Sequence, residues 1–210
     1  LGQRLRFEDV QWTPDGQALV WVEGRSGQGM LVQQPLGGIK QDLLEEQSAR
    51  GGVLYGGGAF TLDREWVIYV DRGLQLFRRS LLEGVPQPLA PLFGSLAAPA
   101  VSPDGKWVVY VYSDGQQDLL ALVDAAAEQW PRKLVQGADF YMQPAWSPDG
   151  GALAWVEWDH PNMPWDATRI MLARLAGEPP EVMEKFQVAG GEENVTQPCF
   201  SPDGRWLSTI

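Results

Sequence analysis

One turn phrase recurs along the 210-residue chain, an apolar run follows most copies, and further strand-like segments fill the intervals. These three observations predict an all-β fold, a partial β-propeller of about four and a half four-stranded blades. The phrase reads Trp12-Thr-Pro-Asp-Gly16, Val101-Ser-Pro-Asp-Gly105, Trp146-Ser-Pro-Asp-Gly150 and Phe200-Ser-Pro-Asp-Gly204, with a degenerate copy at Phe60-Thr-Leu-Asp-Arg64. Counted through Pro14, Leu62, Pro103, Pro148 and Pro202, the intervals are 48, 41, 45 and 54 residues. Blades repeat about every 40–50 residues. Residues 1–210 are thus expected to form one propeller segment, with blades starting near residues 9, 57, 98, 143 and 197.

Each part of the repeat has a physical reading. Pro presets φ, Asp hydrogen-bonds nearby backbone and Gly supplies a positive φ, so Pro-Asp-Gly makes a tight turn between a first and a second strand. The second strands are Ala18–Val22, Trp66–Val70, Trp107–Val111 and Leu153–Val156. They are too short for helices, rich in β-branched and aromatic residues, and apolar at odd and even positions alike. Both faces must then be covered, as they are when blades stack around an axis. Third strands follow at Met30–Gln33, Leu74–Phe77, Leu119–Val123 and Ile170–Ala173. Fourth, more polar strands end at a leucine in Gln41–Leu44, Pro86–Leu89 and Pro131–Leu134, and their prolines and charges suit an outer edge. Asp42–Ser48 and Asp124–Gln129 look mildly helical, but the repeat makes the first a connector and the second a hairpin. Ile210 falls inside the second strand of a fifth blade, so a longer polypeptide carrying further blades is expected.

Composition narrows the function. Lys and Arg total 16 against 27 Asp and Glu, a formal charge of −11. No basic footprint for nucleic acid exists, and an anionic membrane surface is a poor partner. No apolar run approaches the roughly 20 residues of a membrane-spanning helix. Cys199 is the only cysteine, so no internal disulfide forms, and a cytoplasmic location is expected. Association of identical copies stays open.

A search for chemistry returns no catalytic set. No Gly-x-Ser-x-Gly spacing occurs, and Ser26 in Gly24-Arg-Ser-Gly27 reads as a hairpin loop. His160 is the only histidine and has no serine near it in sequence. One His and one Cys do not make a zinc site, and Gly56-Gly-Gly58 precedes a strand rather than a helix. No catalytic residue, metal ligand or cofactor is therefore assigned.

What remains is a recognition surface. The Pro-Asp-Gly turns lie on one face of the ring, and the loops joining second to third strands and successive blades lie on the other. That second face collects Gly51–Gly58 with Tyr55, Gly137–Gln143 with Tyr141, the insertion Trp158–Thr168 with His160 and Trp165, and Gly190–Gln197 with Glu192 and Glu193. Tyr55, Tyr141, His160, Trp165, Glu192 and Glu193 are the substrate-facing candidates. Each has a plainer reading too. Trp158 and Trp165 pack the insertion onto its blade, Phe140 and Tyr141 cap the core between blades, His160 is a structural loop residue, and Glu192-Glu193 is a solvated acidic loop. As a recognition element the Glu pair favours a cation such as a peptide α-amine.

Gly56-Gly-Gly-Ala-Phe60, Gly137-Ala-Asp-Phe-Tyr141, Ser147-Pro-Asp-Gly150, the run Leu153 to Asp166 and Gly190-Gly-Glu-Glu193 occur in order. Together they resemble the N-terminal propeller of prolyl oligopeptidase-family serine peptidases, in the dipeptidyl aminopeptidase/acylaminoacyl peptidase branch. The Glu157–Asp166 run is the specific part, since Ser-Pro-Asp-Gly repeats also occur in TolB-like propellers. The resemblance implies a ring of roughly seven blades and, as partner, the protein's own C-terminal α/β-hydrolase domain. That domain supplies Ser, Asp and His, while the propeller restricts entry to small peptides. None of the triad maps onto this chain. The family's Glu-Tyr-Gly-Gly-Gly pattern reads Leu54-Tyr55-Gly56 here, and Phe60–Arg64 has lost its Pro and Gly. The alternative is a stand-alone TolB-like propeller acting as a protein-binding scaffold.

Overall fold

Short apolar strands separated by tight turns pair with their immediate neighbours in sequence, and here every sheet is such a meander. A computed structural model describes residues 5–53, 55, 58–91 and 93–210. Leu54, Gly56 and Gly57, part of the glycine-rich stretch that carries the resemblance, lie outside the described residues.

The first blade is β1 (Arg6–Trp12), β2 (Ala18–Arg25), β3 (Gln28–Pro35) and β4 (Gln41–Asp42). The second is β5 (Phe60–Leu62), β6 (Trp66–Val70), β7 (Leu76–Ser80) and β8 (Gln87–Pro88). The third is β9 (Ser95–Val101), β10 (Trp107–Ser113), β11 (Asp118–Asp124) and β12 (Arg132–Val135). The fourth is β13 (Phe140–Trp146), β14 (Ala152–Trp158), β15 (Arg169–Ala176) and β16 (Glu181–Gly190). A two-stranded sheet, β17 (Cys199–Phe200) with β18 (Leu207–Ser208), follows. All pairings are antiparallel.

The two-sided apolar strands are buried on both sides by neighbouring blades. Along β10, Trp107, Val109 and Val111 pack with Tyr141, Leu153 and Trp155 of the fourth blade. Val108 and Tyr110 point the other way, into Ile68, Val70 and Leu76 of the second. The period-2 alternation of a strand thus serves two cores at once. In the first blade Val20 and Val22 face the second blade, while Leu19 and Trp21 on the opposite side are only half-buried. Both faces of that blade are not covered among the described residues.

The four intact turns are near-copies. Thr13, Ser102, Ser147 and Ser201 each donate a hydroxyl proton to the Asp two residues on, at 2.6 Å in every case. The same hydroxyl oxygen accepts the N–H five residues on, and the Asp Oδ1 accepts the N–H two residues beyond itself. Gly16, Gly105, Gly150 and Gly204 take φ between 67° and 73°, a region that favours glycine. The hydroxyl residue is thus as much a part of the turn as Pro-Asp-Gly. At the degenerate copy Asp63 replaces this network alone, accepting from the N–H groups of Glu65 and Trp66.

Three local expectations shift. Leu74 adopts φ 66°, so the loop extends through Gln75 and the strand expected at Leu74–Phe77 becomes Leu76–Ser80. The outer strands of the first two blades shorten to two residues each. The fourth blade instead has a ten-residue outer strand, β16, whose alternating but mostly exposed pattern gave no apolar run to find. Asp42–Ser48 contains no helical turn, and Asp124–Gln129 is a hairpin in which the Asp124 carboxylate accepts from Ala126, Glu128 and Gln129 N–H.

Candidate functional site

The segment joining the first two blades crosses the loop face and is held there by backbone bonds. Arg50 N–H donates to Val70 O, Gly52 N–H to Leu96 O, and Ala98 N–H to Gly58 O. Val53 is buried within the core between the third and fourth blades. From this strap Tyr55 reaches two further blades. Its hydroxyl donates to the Asp118 carboxylate, lies 2.8 Å from Tyr141 O, and is approached by Tyr141 N–H at 3.3 Å. One phenolic proton serves both acceptors, and the carboxylate is the stronger. Burial, then the facing Asp118 carboxylate, pushes the Tyr55 phenol far above its usual range.

Around Tyr55 the rings form one cluster. Tyr55 meets Trp158 edge-on at 4.8 Å and Phe140 edge-on at 5.6 Å. Phe140 stacks on Trp158 at 5.1 Å and touches the His160 ring at 4.8 Å. Such geometries suit the ring quadrupoles. Trp158 is 2% exposed and Tyr141 is fully buried, its hydroxyl accepting from Ala138 N–H at 2.8 Å. Burial pushes the Tyr141 phenol up to about 12.

The insertion between β14 and β15 is pinned at its first turn. Asp139 Oδ2 accepts from His160 N–H at 2.9 Å and faces His160 Nδ1 at 3.1 Å, and these contacts hold the Asp139 carboxyl below the usual range. Asp139 N–H in turn donates to Asp159 Oδ1 at 3.0 Å. Arg169 bridges Glu157 Oε1 and Asp159 Oδ2, at 3.2 and 2.7 Å. Glu157 also accepts from the buried Trp155 indole at 2.8 Å. At its far end the insertion meets the connection after β16: Asn194 donates to Pro164 O at 2.6 Å, and Thr168 N–H to Glu193 O at 3.1 Å. Gly190 and Gly191 turn tightly across the Thr168 carbonyl, at φ 77° and 112°.

Through Phe140 and Trp158 these contacts join Tyr55 and His160 in one aromatic patch. Tyr141 instead meets the Tyr55 hydroxyl through its backbone, and its ring is fully buried in the core between the third and fourth blades, not facing a ligand. Trp165, Glu192 and Glu193 sit on the adjoining pair of loops. Trp165 is 67% exposed, and both glutamates are exposed with carboxylates unpaired among the described residues. Among the described residues this face therefore has an aromatic floor bordered by an exposed indole and an unpaired acidic pair, while Arg169 is already paired with Glu157 and Asp159. Such a surface attracts a cationic, partly apolar ligand. Nothing in the sequence alone points to Asp118, Asp139, Asp159 or Arg169 as members of this site. No spacing rule reaches from Tyr55 to Asp118, 63 positions away. Among the described residues no three His, Cys, Asp or Glu side chains converge as a metal site would require.

The fold defines a β-propeller segment of four four-stranded blades and a two-stranded sheet. No family model matches the chain, and no curated protein does. Solved structures do. A Mycobacterium tuberculosis puromycin-hydrolysing peptidase matches 94% of the chain at 30% identity and TM-score 0.79, and a puromycin hydrolase matches 97% at 25% and 0.83. The chain is similar to the propeller part of these peptidases. It spans 33% of the first protein and 36% of the second, about a third of their length. A putative TolB from Agrobacterium tumefaciens matches 96% of the chain and 73% of its own length, at 20% identity and TM-score 0.69. That likeness is one of fold.

Proposed function

We propose that the chain is the non-catalytic propeller segment of a prolyl oligopeptidase-family serine peptidase, of aminopeptidase or acylaminoacyl peptidase type. In this reading its loop face admits small peptides to an α/β-hydrolase domain that follows in the same polypeptide. The observation that carries it is the 30% identical match over 94% of the chain to a peptidase three times as long. The loop face supports it. A rigid aromatic patch borders an unpaired Glu192-Glu193 pair, which suits the α-amine and first side chain of a short peptide. The reaction itself belongs to the hydrolase domain, and this chain contributes access and amine recognition.

The test uses the full-length protein with aminoacyl p-nitroanilides, before and after treatment with a serine-directed phosphonate. Phosphonate-sensitive release of p-nitroaniline is expected; none would reject the reading. A TolB-like scaffold is the second reading, favoured by the fold match to a putative TolB. The coding sequence beyond Ile210 separates the two: Gly-x-Ser-x-Gly followed by Asp and His supports the peptidase, and a stop after the last blade supports the scaffold.

A further inference from the structure

Two adjacent carboxylates on an exposed loop repel each other, and a cation held between mobile side chains gains little. Glu192 and Glu193 suit amine recognition only where their backbone is fixed in advance, which lowers the ordering cost of binding. In this fold one residue of the neighbouring loop does the fixing.

Thr168 closes the insertion just before β15 and is 1% exposed. It makes four hydrogen bonds to the connection that carries the glutamates. Its carbonyl accepts from Gly191 N–H at 2.8 Å, and its N–H donates to Glu193 O at 3.1 Å. Its hydroxyl donates to Val195 O at 2.5 Å and accepts from Val195 N–H at 2.8 Å. Residues 191, 193 and 195 are thus all held by Thr168, and the acidic pair lies inside that bracket. The far end of the bracket is itself anchored. Val195 is buried with Val156, Trp158 and Ile170, in a cluster against which Tyr55 and Phe140 pack. The clamp therefore sets the carboxylates at a fixed place beside the aromatic floor.

Of the four bonds, the two made by the hydroxyl are those a side-chain substitution removes. Valine has nearly the same shape, so packing alone does not call for threonine here. Without the hydroxyl, the buried N–H and carbonyl of Val195 lose their partner, and the loop must shift or take in water.

We infer that Thr168 is a positioning residue whose hydroxyl holds Glu192 and Glu193 in the arrangement that receives a peptide α-amine. The inference rests on the amine-recognition reading of the loop face.

The full-length protein is assayed with aminoacyl and N-acetyl-aminoacyl p-nitroanilides, and the ratio of the two KM values is followed. Thr168→Val should shift that ratio about two- to threefold against the free-amine substrate, and Thr168→Ser, which keeps the hydroxyl, should restore it. In the Glu192→Gln/Glu193→Gln background Thr168→Val should shift it no further, because the residue acts through the pair. A wild-type ratio in Thr168→Val, no restoration by Thr168→Ser, or a further shift in the Glu192→Gln/Glu193→Gln background would overturn the inference. A Glu192→Gln/Glu193→Gln variant with a wild-type ratio would instead overturn the amine-recognition reading, and the inference with it. Amide exchange of the wild-type protein tests the clamp without any variant. The Gly191 and Val195 amides should exchange as slowly as those of β15, and exchange at the rate of an open loop would also overturn the inference.

Discussion

The hydroxyl of Tyr55 donates to the carboxylate of Asp118, tying the strap between the first two blades to the third blade across the loop face. The same oxygen is 2.8 Å from Tyr141 O on the fourth blade. The strap and two blades therefore meet at one phenol.

Tyr55→Phe keeps the ring contacts and leaves the buried Asp118 without its donor. A loss of about 1–3 kcal/mol is expected, read as a lower urea midpoint with unchanged slope. An unchanged midpoint would show that the strap is not held by this bond.

Burial raises the phenols of Tyr55, Tyr69, Tyr110 and Tyr141 above their usual value of 10.0. A raised folded-state pKa contributes stability that is complete below the unfolded value and is lost as pH rises through the folded one. Stability should therefore fall as pH rises above about 10. Stability that stays level up to about pH 12 would contradict this.

The turn aspartates have the opposite sign. The Asp15, Asp149 and Asp203 carboxyls are held below 3.8 chiefly by the neighbouring Thr13, Ser147 and Ser201 hydroxyls. At Asp104 burial opposes the shift and is outweighed by the Ser102 hydroxyl and Lys106 N–H. Their contribution is complete above the unfolded pKa and is lost as pH falls through the lowered folded values. Acid titration of the urea midpoint should show loss only below about pH 4, and Ser147→Ala should lower the unfolding free energy at neutral pH by about 1 kcal/mol.

Much of this was legible in the sequence, because turns and short strands are local. Trp66–Val70 is the strand β6 residue for residue, and the Pro-Asp-Gly phrases mark all four intact hairpins. The loop at Leu74 is not legible there, because leucine gives no warning of a positive φ. The candidate site was legible only as a face. The loops could be assigned to one end of the ring, but which side chains meet there depends on long-range packing. Arg169 joining Glu157 to Asp159 and Asp139 capping His160 are products of that packing, as is the Tyr55–Asp118 bond.

Gly190 illustrates the same limit. A Cβ there would sit 2.2 Å from the Thr168 carbonyl oxygen, at φ 77°. Gly190→Ala must move backbone and should cost about 1–3 kcal/mol while loosening the loop that carries Glu192 and Glu193. Denaturant unfolding measures the first effect, and faster amide exchange at residues 191–194 the second. Wild-type values in both would contradict the packing described.

On the proposed reading the loop face selects short, free-amine peptides, and full-length kinetics test this most directly. The specificity constant kcat/KM is measured for aminoacyl and N-acetyl-aminoacyl p-nitroanilides, in wild type and in Glu192→Gln/Glu193→Gln. The account predicts that the double variant raises KM for the free-amine substrate by about two- to fivefold and leaves the acylated one unchanged. Equal effects on both substrates, or none on either, would contradict it.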